Sequence, residues 1–175
     1  MDYCYLSSPI GPLLIAGDEA AIHAITFPKN GKACPPERGW TESRRGTVAE
    51  AVRQLNQYFA GDRQEFELPL APQGTDFQRA VWQRLQEIPY GETISYSELA
   101  RRVGNPKASR AVGSANGANP IPIVIPCHRV IAADGGLGGF GGGLPMKQTL
   151  LSLEAKQLTL AETKPQSARR HATAR

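Results

Sequence analysis

Two side chains that could do covalent chemistry stand next to each other, Cys127 and His128, at the end of the apolar run from Asn119 to Pro126. Pro120, Pro122 and Pro126 interrupt that run, and proline both fixes its own φ and restricts the residue before it. A buried, rigid, extended stretch is therefore expected, presenting Cys127 at a defined place. Beyond Val130 and Ile131, residues 135–143 hold seven glycines in nine positions. Such backbone can approach a ligand closely and offer bare N–H groups. At an ordinary pKa of about 8.5 a thiol is only slightly ionised at neutral pH, so a nucleophilic cysteine needs a base and an electropositive setting. His128 and Arg129 are candidates for both. A third group should orient the base, and the acids downstream of Cys127 are Asp134, Glu154 and Glu162. Glu154 is favoured because it falls on a predicted helix, Leu144 to Leu160, with apolar positions Leu150, Leu151, Leu153 and Leu158.

The elements before this segment suggest what the thiol acts on. Thr75 with Gln78 predicts a capping box that opens a helix through Phe77, Val81, Leu85 and Ile88, stopping at Pro89 to Gly91. Ser95 with Glu98 opens another, through Leu99 and Val103, which Gly104 ends. Asn105 and Pro106 suit the N-cap and first turn of a third helix, Pro106 to about Asn116, and the last two make a helix-turn-helix. The surface of that third helix is small: Ala108, Ser109, Ala111, Gly113, Ser114, Ala115 and Gly117. An interior glycine costs about 1 kcal/mol against alanine, so Gly113 implies close approach to the backbone. No acid lies between Glu98 and Asp134, whereas Arg101, Arg102, Lys107, Arg110 and Arg129 all do. A basic surface of this kind suits phosphate contact. A smooth helix with one large cation, Arg110, suits the narrow minor groove better than base readout in the major groove.

The segment Asn119-Pro120 through Pro126-Cys127-His128-Arg129-Val130-Ile131, with its glycine loop, resembles the signature of the O6-alkylguanine-DNA alkyltransferases. Thymidylate synthases also carry Pro-Cys-His, but their chains are longer and lack the residues that stand after the tripeptide here. The resemblance spans roughly residues 2–160 and implies an α+β protein. A small three-stranded antiparallel sheet with a helix, ribonuclease H-like, would precede a mainly helical part with a winged-helix-like helix-turn-helix. It implies one-time transfer of an alkyl group from O6-alkylguanine, and O4-alkylthymine, to Cys127, with repair by direct reversal. His128 would take the thiol proton through a water, Glu154 would hold the imidazole, and Asn119 would tie the turns before the cysteine. Arg110 would enter the base stack of double-stranded DNA in place of a flipped nucleotide, from the minor groove. Tyr96 would press on the phosphate and bond the base edge. Ser109, Ala111, Gly113, Ser114, Gly117 and Lys107 would contact DNA, and Arg129, Val130, Gly138, Gly139, Phe140, Gly141 and Gly142 would line the substrate loop. Phe140 stands where most relatives have a tyrosine, and Gly141 where some have a serine. One branch of the family lacks the cysteine and only binds lesions, and Cys127 argues against it.

Composition agrees with a soluble globular protein: 175 residues, 41% hydrophobic and 21% charged. The first residues form no basic and apolar leader, and no apolar run approaches the ~20 residues of a membrane span, so a cytoplasmic protein is expected. Cys4, Cys34 and Cys127 are odd in number and have no C-x-x-C spacing, so neither a disulfide framework nor a zinc site is expected. His23 resembles a zinc ligand of some relatives, without cysteines to complete the set. No metal and no cofactor are expected, and the protein should be monomeric, with clustering only on DNA. The net charge of +4 resides in the tail, since residues 163–175 carry four basic residues and no acid.

The expected organisation is a supporting part at 1–65, a linker at 66–74, the DNA-binding and alkyl-acceptor part at 75–160, and a disordered basic tail at 161–175. In the first part, β-leaning runs at Tyr3–Leu6, Leu13–Ala16 and Ala21–Phe27 are expected to form a meander. Lys29–Arg45 reads as loop, and Thr47 with Glu50 as a capping box opening a helix through Val48, Ala51, Val52, Leu55 and Phe59 that Gly61 ends. No chemistry is expected there. Two other readings of the whole chain are a lesion binder that leaves its thiol unmodified, and a small-molecule thiol transferase indifferent to DNA.

Overall fold

The computed structural model describes residues 1–163. The three β-leaning runs form β1 (Asp2–Leu6), β2 (Leu13–Gly17) and β3 (Ile22–Thr26). Each pairs antiparallel with its neighbour, with Leu6 opposite Leu13 and Leu14 opposite Thr26. Within the expected loop a further strand, β4 (Thr41–Glu42), adds parallel to β1, giving the order β3-β2-β1-β4. Two residues have no readable periodicity, and only the distant edge of β1 makes them a strand.

Helix α1 (Gly46–Ala60) covers this sheet with Val48, Ala51, Leu55 and Tyr58. Its expected capping box is absent. Thr47 lies inside the helix and its hydroxyl donates to the Asp18 carbonyl, while Glu50 binds Arg53 and Gln54. A turn far away in sequence has claimed the capping hydroxyl. Gly61 ends the helix at φ 85, its N–H meeting the Gln57 and Tyr58 carbonyls.

In α2 (Asp76–Leu85) the box is complete: the Thr75 hydroxyl accepts from the Gln78 N–H, and Gln78 Oε1 accepts from the Thr75 N–H. The buried face is Val81, Trp82 and Leu85, whereas Phe77, in the first turn, is 39% exposed. The buried Trp82 indole donates to the Ala115 carbonyl at 2.8 Å and so ties α2 to the second helix of the helix-turn-helix. That pair is α3 (Tyr96–Arg102) and α4 (Ser109–Gly117). Ser95 caps α3 by accepting from the Glu98 N–H, but the Glu98 carboxylate turns to Arg101 and Arg102 instead of back to Ser95. Helix α4 starts three residues later than expected. Asn105 to Ala108 close a turn of their own, and no side chain caps Ala108.

The segment before Cys127 is buried as expected but is not extended. Ile123 has φ +75, Ile125 N–H returns to the Ile121 carbonyl, Cys127 N–H to the Ile125 carbonyl, and Cys127–Arg129 form a single 3-10 turn. The Asn119 side chain staples this coil, donating to the Ile125 carbonyl at 2.8 Å and accepting from the Ile121 N–H at 3.0 Å. A short parallel pair, β5 (Ile94–Ser95) with β6 (Val130–Ile131), joins the start of α3 to the end of the cysteine turn. Helix α5 (Leu144–Thr163) closes the described chain.

One apolar cluster runs through both halves, from Leu13 and Ile15 under α1 to Leu99, Val112 and Leu150. The stretch expected as a linker is held on β3: Ile22 N–H meets the Pro69 carbonyl and Ala71 N–H the Ile22 carbonyl. Among the described residues no helix is long and apolar enough to cross a membrane. The expected basic tail lies, from residue 164 onward, outside the described residues.

Candidate active site

Cys127 is 4% exposed. Burial pushes its thiol up to about 11, against the Asn119 side chain, Lys147 and the N–H groups of Cys127 and His128, which all lower it. At neutral pH only about one molecule in 10⁴ would hold a thiolate in the resting site. The thiol is therefore held protonated, and any use of it as a nucleophile needs a base.

The adjacent His128 is fully buried, and burial lowers its pKa more than its contact with Glu154 raises it. Its Nε2 lies 2.7 Å from Glu154 Oε1, and its Nδ1 has no partner among the described residues. A neutral ring that donates from Nε2 to a carboxylate leaves Nδ1 as the free acceptor, which is the tautomer of a general base.

Glu154 is wholly buried on α5 and accepts five hydrogen bonds. Oε1 receives His128 Nε2, Tyr58 Oη at 2.8 Å and Arg129 Nη2 at 2.9 Å. Oε2 receives Arg129 Nε at 3.0 Å and the Gly91 N–H at 3.1 Å. Burial would raise this carboxyl, but His128 and Arg129 outweigh it and hold it at about 2. Gly91 reaches the carboxylate at φ 78, a conformation that glycine adopts freely.

Arg129, expected on the substrate loop and as an electropositive partner for the thiol, faces the other way. Its guanidinium pairs with Glu154, donates from Nη1 to the Ile88 carbonyl, and lies over the Tyr90 ring. A cation this deep goes to the buried carboxylate, because an unpaired one is costly. The positive group on the thiol's side is Lys147 of α5. It is fully buried and donates to the Val130 carbonyl at 2.6 Å and to that of Leu137, with the Tyr96 and Phe140 rings nearby. Burial lowers its pKa and Cys127 raises it. Sequence reading missed Lys147, which resembles any surface lysine. The signal was its spacing: 147, 150 and 154 form one helix face, and that face is buried.

The residues expected at DNA divide in two. Tyr96, Ser109, Arg110, Gly113, Ser114 and Gly117 line one open groove of about 660 Å³, together with Gly139 and Phe140 of the expected substrate loop. Ala111 and Lys107 are exposed but outside that lining. A methyl on Gly113 would meet the Tyr96 ring at 3.8 Å, an ordinary contact, so packing within the protein does not demand glycine there. Gly138 differs: φ is 68 and an added Cβ would press the Tyr96 ring at 3.0 Å. The Tyr96 hydroxyl reaches the Gly139 carbonyl at 3.4 Å, and burial raises its pKa, with Cys127 adding to the rise. Gly141 runs beside the Gly117 carbonyl, and Gly142 packs on Met146, Phe27 and Phe140. Val130 is buried, its carbonyl taken by Lys147.

Cys127 opens on a second cavity of about 340 Å³, which shares Asn116, Gly117 and Phe140 with the groove. Its far wall is Ile25, Phe27, Pro28 and Lys29, with the Phe27 ring 5.4 Å from that of Phe140. The N-terminal part, expected only to support, thus borders the cavity on which Cys127 opens. Asn116 was also missed. It is buried, donates to the Cys127 carbonyl at 3.2 Å, and its Oδ1 has no partner among the described residues. Among the same residues no group of three or more His, Cys, Asp or Glu is placed to hold a metal.

The chain has relatives among known proteins over nearly all of its described length. A family model described as 6-O-methylguanine DNA methyltransferase, DNA binding domain, matches residues 76–156, and one described as its ribonuclease-like domain matches residues 1–72. A methylated-DNA–protein-cysteine methyltransferase of Methanosarcina acetivorans is 52% identical, covering 88% of this chain and 98% of its own. One from Mycolicibacterium paratuberculosis is 51% identical, covering 89% and 93%. A Mycobacterium tuberculosis OGT crystallised in complex with DNA superposes with a TM-score of 0.82 at 47% identity, covering 90% of this chain and 94% of that one.

Proposed function

The chain belongs to the 6-O-methylguanine DNA methyltransferase family, and from that footing we propose how its residues divide the work. The activity is repair of DNA by direct reversal, in which the alkyl group of O6-alkylguanine passes to a cysteine of the protein itself. The acceptor is Cys127. The observation that carries this is a buried thiol beside a neutral imidazole whose Nε2 is held by Glu154 and whose Nδ1 is free, next to a groove lined by small residues and Arg110.

Proton removal accompanies docking of the base. His128 Nδ1, through a water, takes the Sγ proton as the sulfur attacks the alkyl carbon. The S–C bond forms, the C–O6 bond breaks, and its electron pair leaves on O6. The departing guanine takes a proton from the Tyr96 hydroxyl or hydrogen bonds from N–H groups of Gly138 to Gly142. Lys147 stabilises the forming thiolate and holds the loop by its carbonyls. The thioether has no ready leaving group, so each protein acts once. O4-alkylthymine fits the same chemistry.

Duplex DNA is gripped from the minor groove by α4, and Arg110 fills the stack where the damaged nucleotide rotates out. Extrusion costs a few kcal/mol, and less for a base that pairs badly. Residues 75–160 carry the DNA contacts and the acceptor thiol, 66–74 link them to residues 1–65, which support the site and border its cavity, and the protein acts as a cytoplasmic monomer without cofactor.

Incubation with a duplex bearing one O6-methylguanine is expected to add one methyl to the intact mass, mapped to Cys127 and saturating at one per protein. Binding without mass gain would favour lesion recognition instead. Arg110→Ala should slow transfer from duplex DNA by about 10- to 100-fold, corresponding to a few kcal/mol of lost flipping support, and should leave reaction with free O6-methylguanine base within about 3-fold. Equal slowing on both substrates would remove Arg110 from the flipping step.

A further inference from the structure

The catalytic carboxylate is held by more than the two groups that explain its charge. Tyr58, on α1, is fully buried, and its hydroxyl donates to Glu154 Oε1 at 2.8 Å from 96 residues away in sequence. Its ring already packs among Phe59, Phe66 and Tyr90, with centroids 5.3, 5.5 and 6.0 Å away. A phenylalanine would serve that packing without burying a hydroxyl, which is unfavourable unless the hydroxyl is bonded. The hydroxyl therefore has its use at the carboxylate. We propose that Tyr58 is a positioning residue of the transfer reaction: it fixes Glu154 Oε1 where that oxygen receives the His128 ring, so the N-terminal part completes the site. The inference rests on the alkyl-transfer reading above.

The physical consequence concerns how strongly Glu154 holds the imidazole. Oε1 shares its electron density among three donors, Tyr58, His128 and Arg129. Removing one concentrates charge on the contact with His128 and stabilises the protonated ring. The other groups facing the pair stay in place: Tyr90 and the Gly91 N–H from the loop after α2, Cys127 and Arg129 from the cysteine turn, and Lys147 from α5. Tyr58 itself remains a donor at all relevant pH, since burial raises its pKa well above the ordinary value.

The test is the pH profile of methyl transfer in single-turnover assays. With neutral His128 as the base, Tyr58→Phe should raise the acid-side midpoint by about 0.5–1 unit. Transfer below that midpoint should then slow by about 3- to 10-fold, with little change on the alkaline plateau. Leu55→Val, which thins the buried face of α1 without touching the carboxylate, should lower stability and leave the midpoint alone. Should Tyr58→Phe fold poorly, 3-fluorotyrosine placed at 58 keeps the ring and strengthens the donor, and should move the midpoint down. A Tyr58→Phe profile that superimposes on the wild type, or an equal shift from Leu55→Val, overturns the proposal. NMR titration of His128 without DNA reads the same shift. A shift there with no methyl transfer by the wild type would sink the alkyl-transfer reading and keep the role of Tyr58.

Discussion

Cys127→Ser is expected to take up no methyl from an O6-methylguanine duplex, a loss of at least about 10³-fold, while binding that duplex within about 3-fold of the wild type. The wild-type sulfur is already reluctant, because burial holds its proton up to about 11. On the proposed mechanism, what rescues it is the nucleophilicity of the thiolate once Nδ1 of His128, through a water, takes that proton. A serine hydroxyl is far less acidic, and the same imidazole cannot make enough alkoxide at a tetrahedral alkyl carbon. Intact mass and a gel-shift titration on one preparation read both halves of the expectation. Methyl found on the protein in this variant would place the acceptor elsewhere, with Cys34 the first position to map.

The elevated thiol has a second consequence, in stability. Its folded pKa, about 11, lies well above that of an ordinary thiol, so the folded state favours the protonated form. The stability this confers is present below pH 9 and lost as pH rises from there toward about 11. Cys127→Ala should therefore lose less stability than the wild type between pH 8 and about 10.5 in urea denaturation.

Glu154→Gln carries the other large effect, on fold and chemistry together. The carboxylate neutralises Arg129, which is buried beneath the site and has no other acid beside it among its described contacts. Removing that charge leaves the guanidinium uncompensated, at a cost of about 3–5 kcal/mol. The glutamine must also turn an NH₂ toward Arg129, Gly91 or Tyr58, so at least one buried donor loses its acceptor. His128 then loses the partner that fixes its tautomer, and transfer should fall by about 10²- to 10⁴-fold. The sign with pH comes from the lowered carboxyl. Glu154 is held at about 2 against an ordinary 4.5, so its contribution is full above about 4.5 and fades as pH falls toward about 2. Urea midpoints of variant and wild type should differ most at neutral pH and converge on acidification to about pH 3. A gap as wide at pH 3 as at pH 7 would mean that the buried charge pair is not what stabilises this region.

The elements legible from sequence were those with local causes. Thr75 and Gln78 cap α2 because both partners lie within one turn, and the β-leaning runs of β1 to β3 and the closing Gly61 read off directly. The same logic failed at Thr47. Its hydroxyl was taken by the Asp18 carbonyl, 29 residues away, so a correct local motif lost to a nonlocal partner. The proline-rich segment misled in a related way. Proline made it rigid, as expected, but Ile123 at φ +75 and the Asn119 staple coil it rather than extend it. Arg129 turned to Glu154 instead of the thiol, and Lys147, which sequence reading passed over, stands on the thiol's side, because the sign of a side chain is visible in sequence and the direction it faces is not.

What the sequence determined by itself is the chemistry on offer. A cysteine beside a histidine, an acid on the last helix, a glycine loop and a second helix of small residues around Arg110 name a nucleophile, a base, an orienting group and a surface for nucleic acid. Residue identity and short spacing set these, and no folding is needed to read them. What only the tertiary structure decided is how strongly each group acts. Burial keeps the thiol protonated and the imidazole neutral, and five converging hydrogen bonds hold Glu154 ionised. Two of the donors, Tyr58 and Gly91, come from stretches read as structural, with no sign of chemistry in their sequence. Desolvation and hydrogen bonding depend on what surrounds an atom in space, and for this site those surroundings are assembled from both halves of the chain.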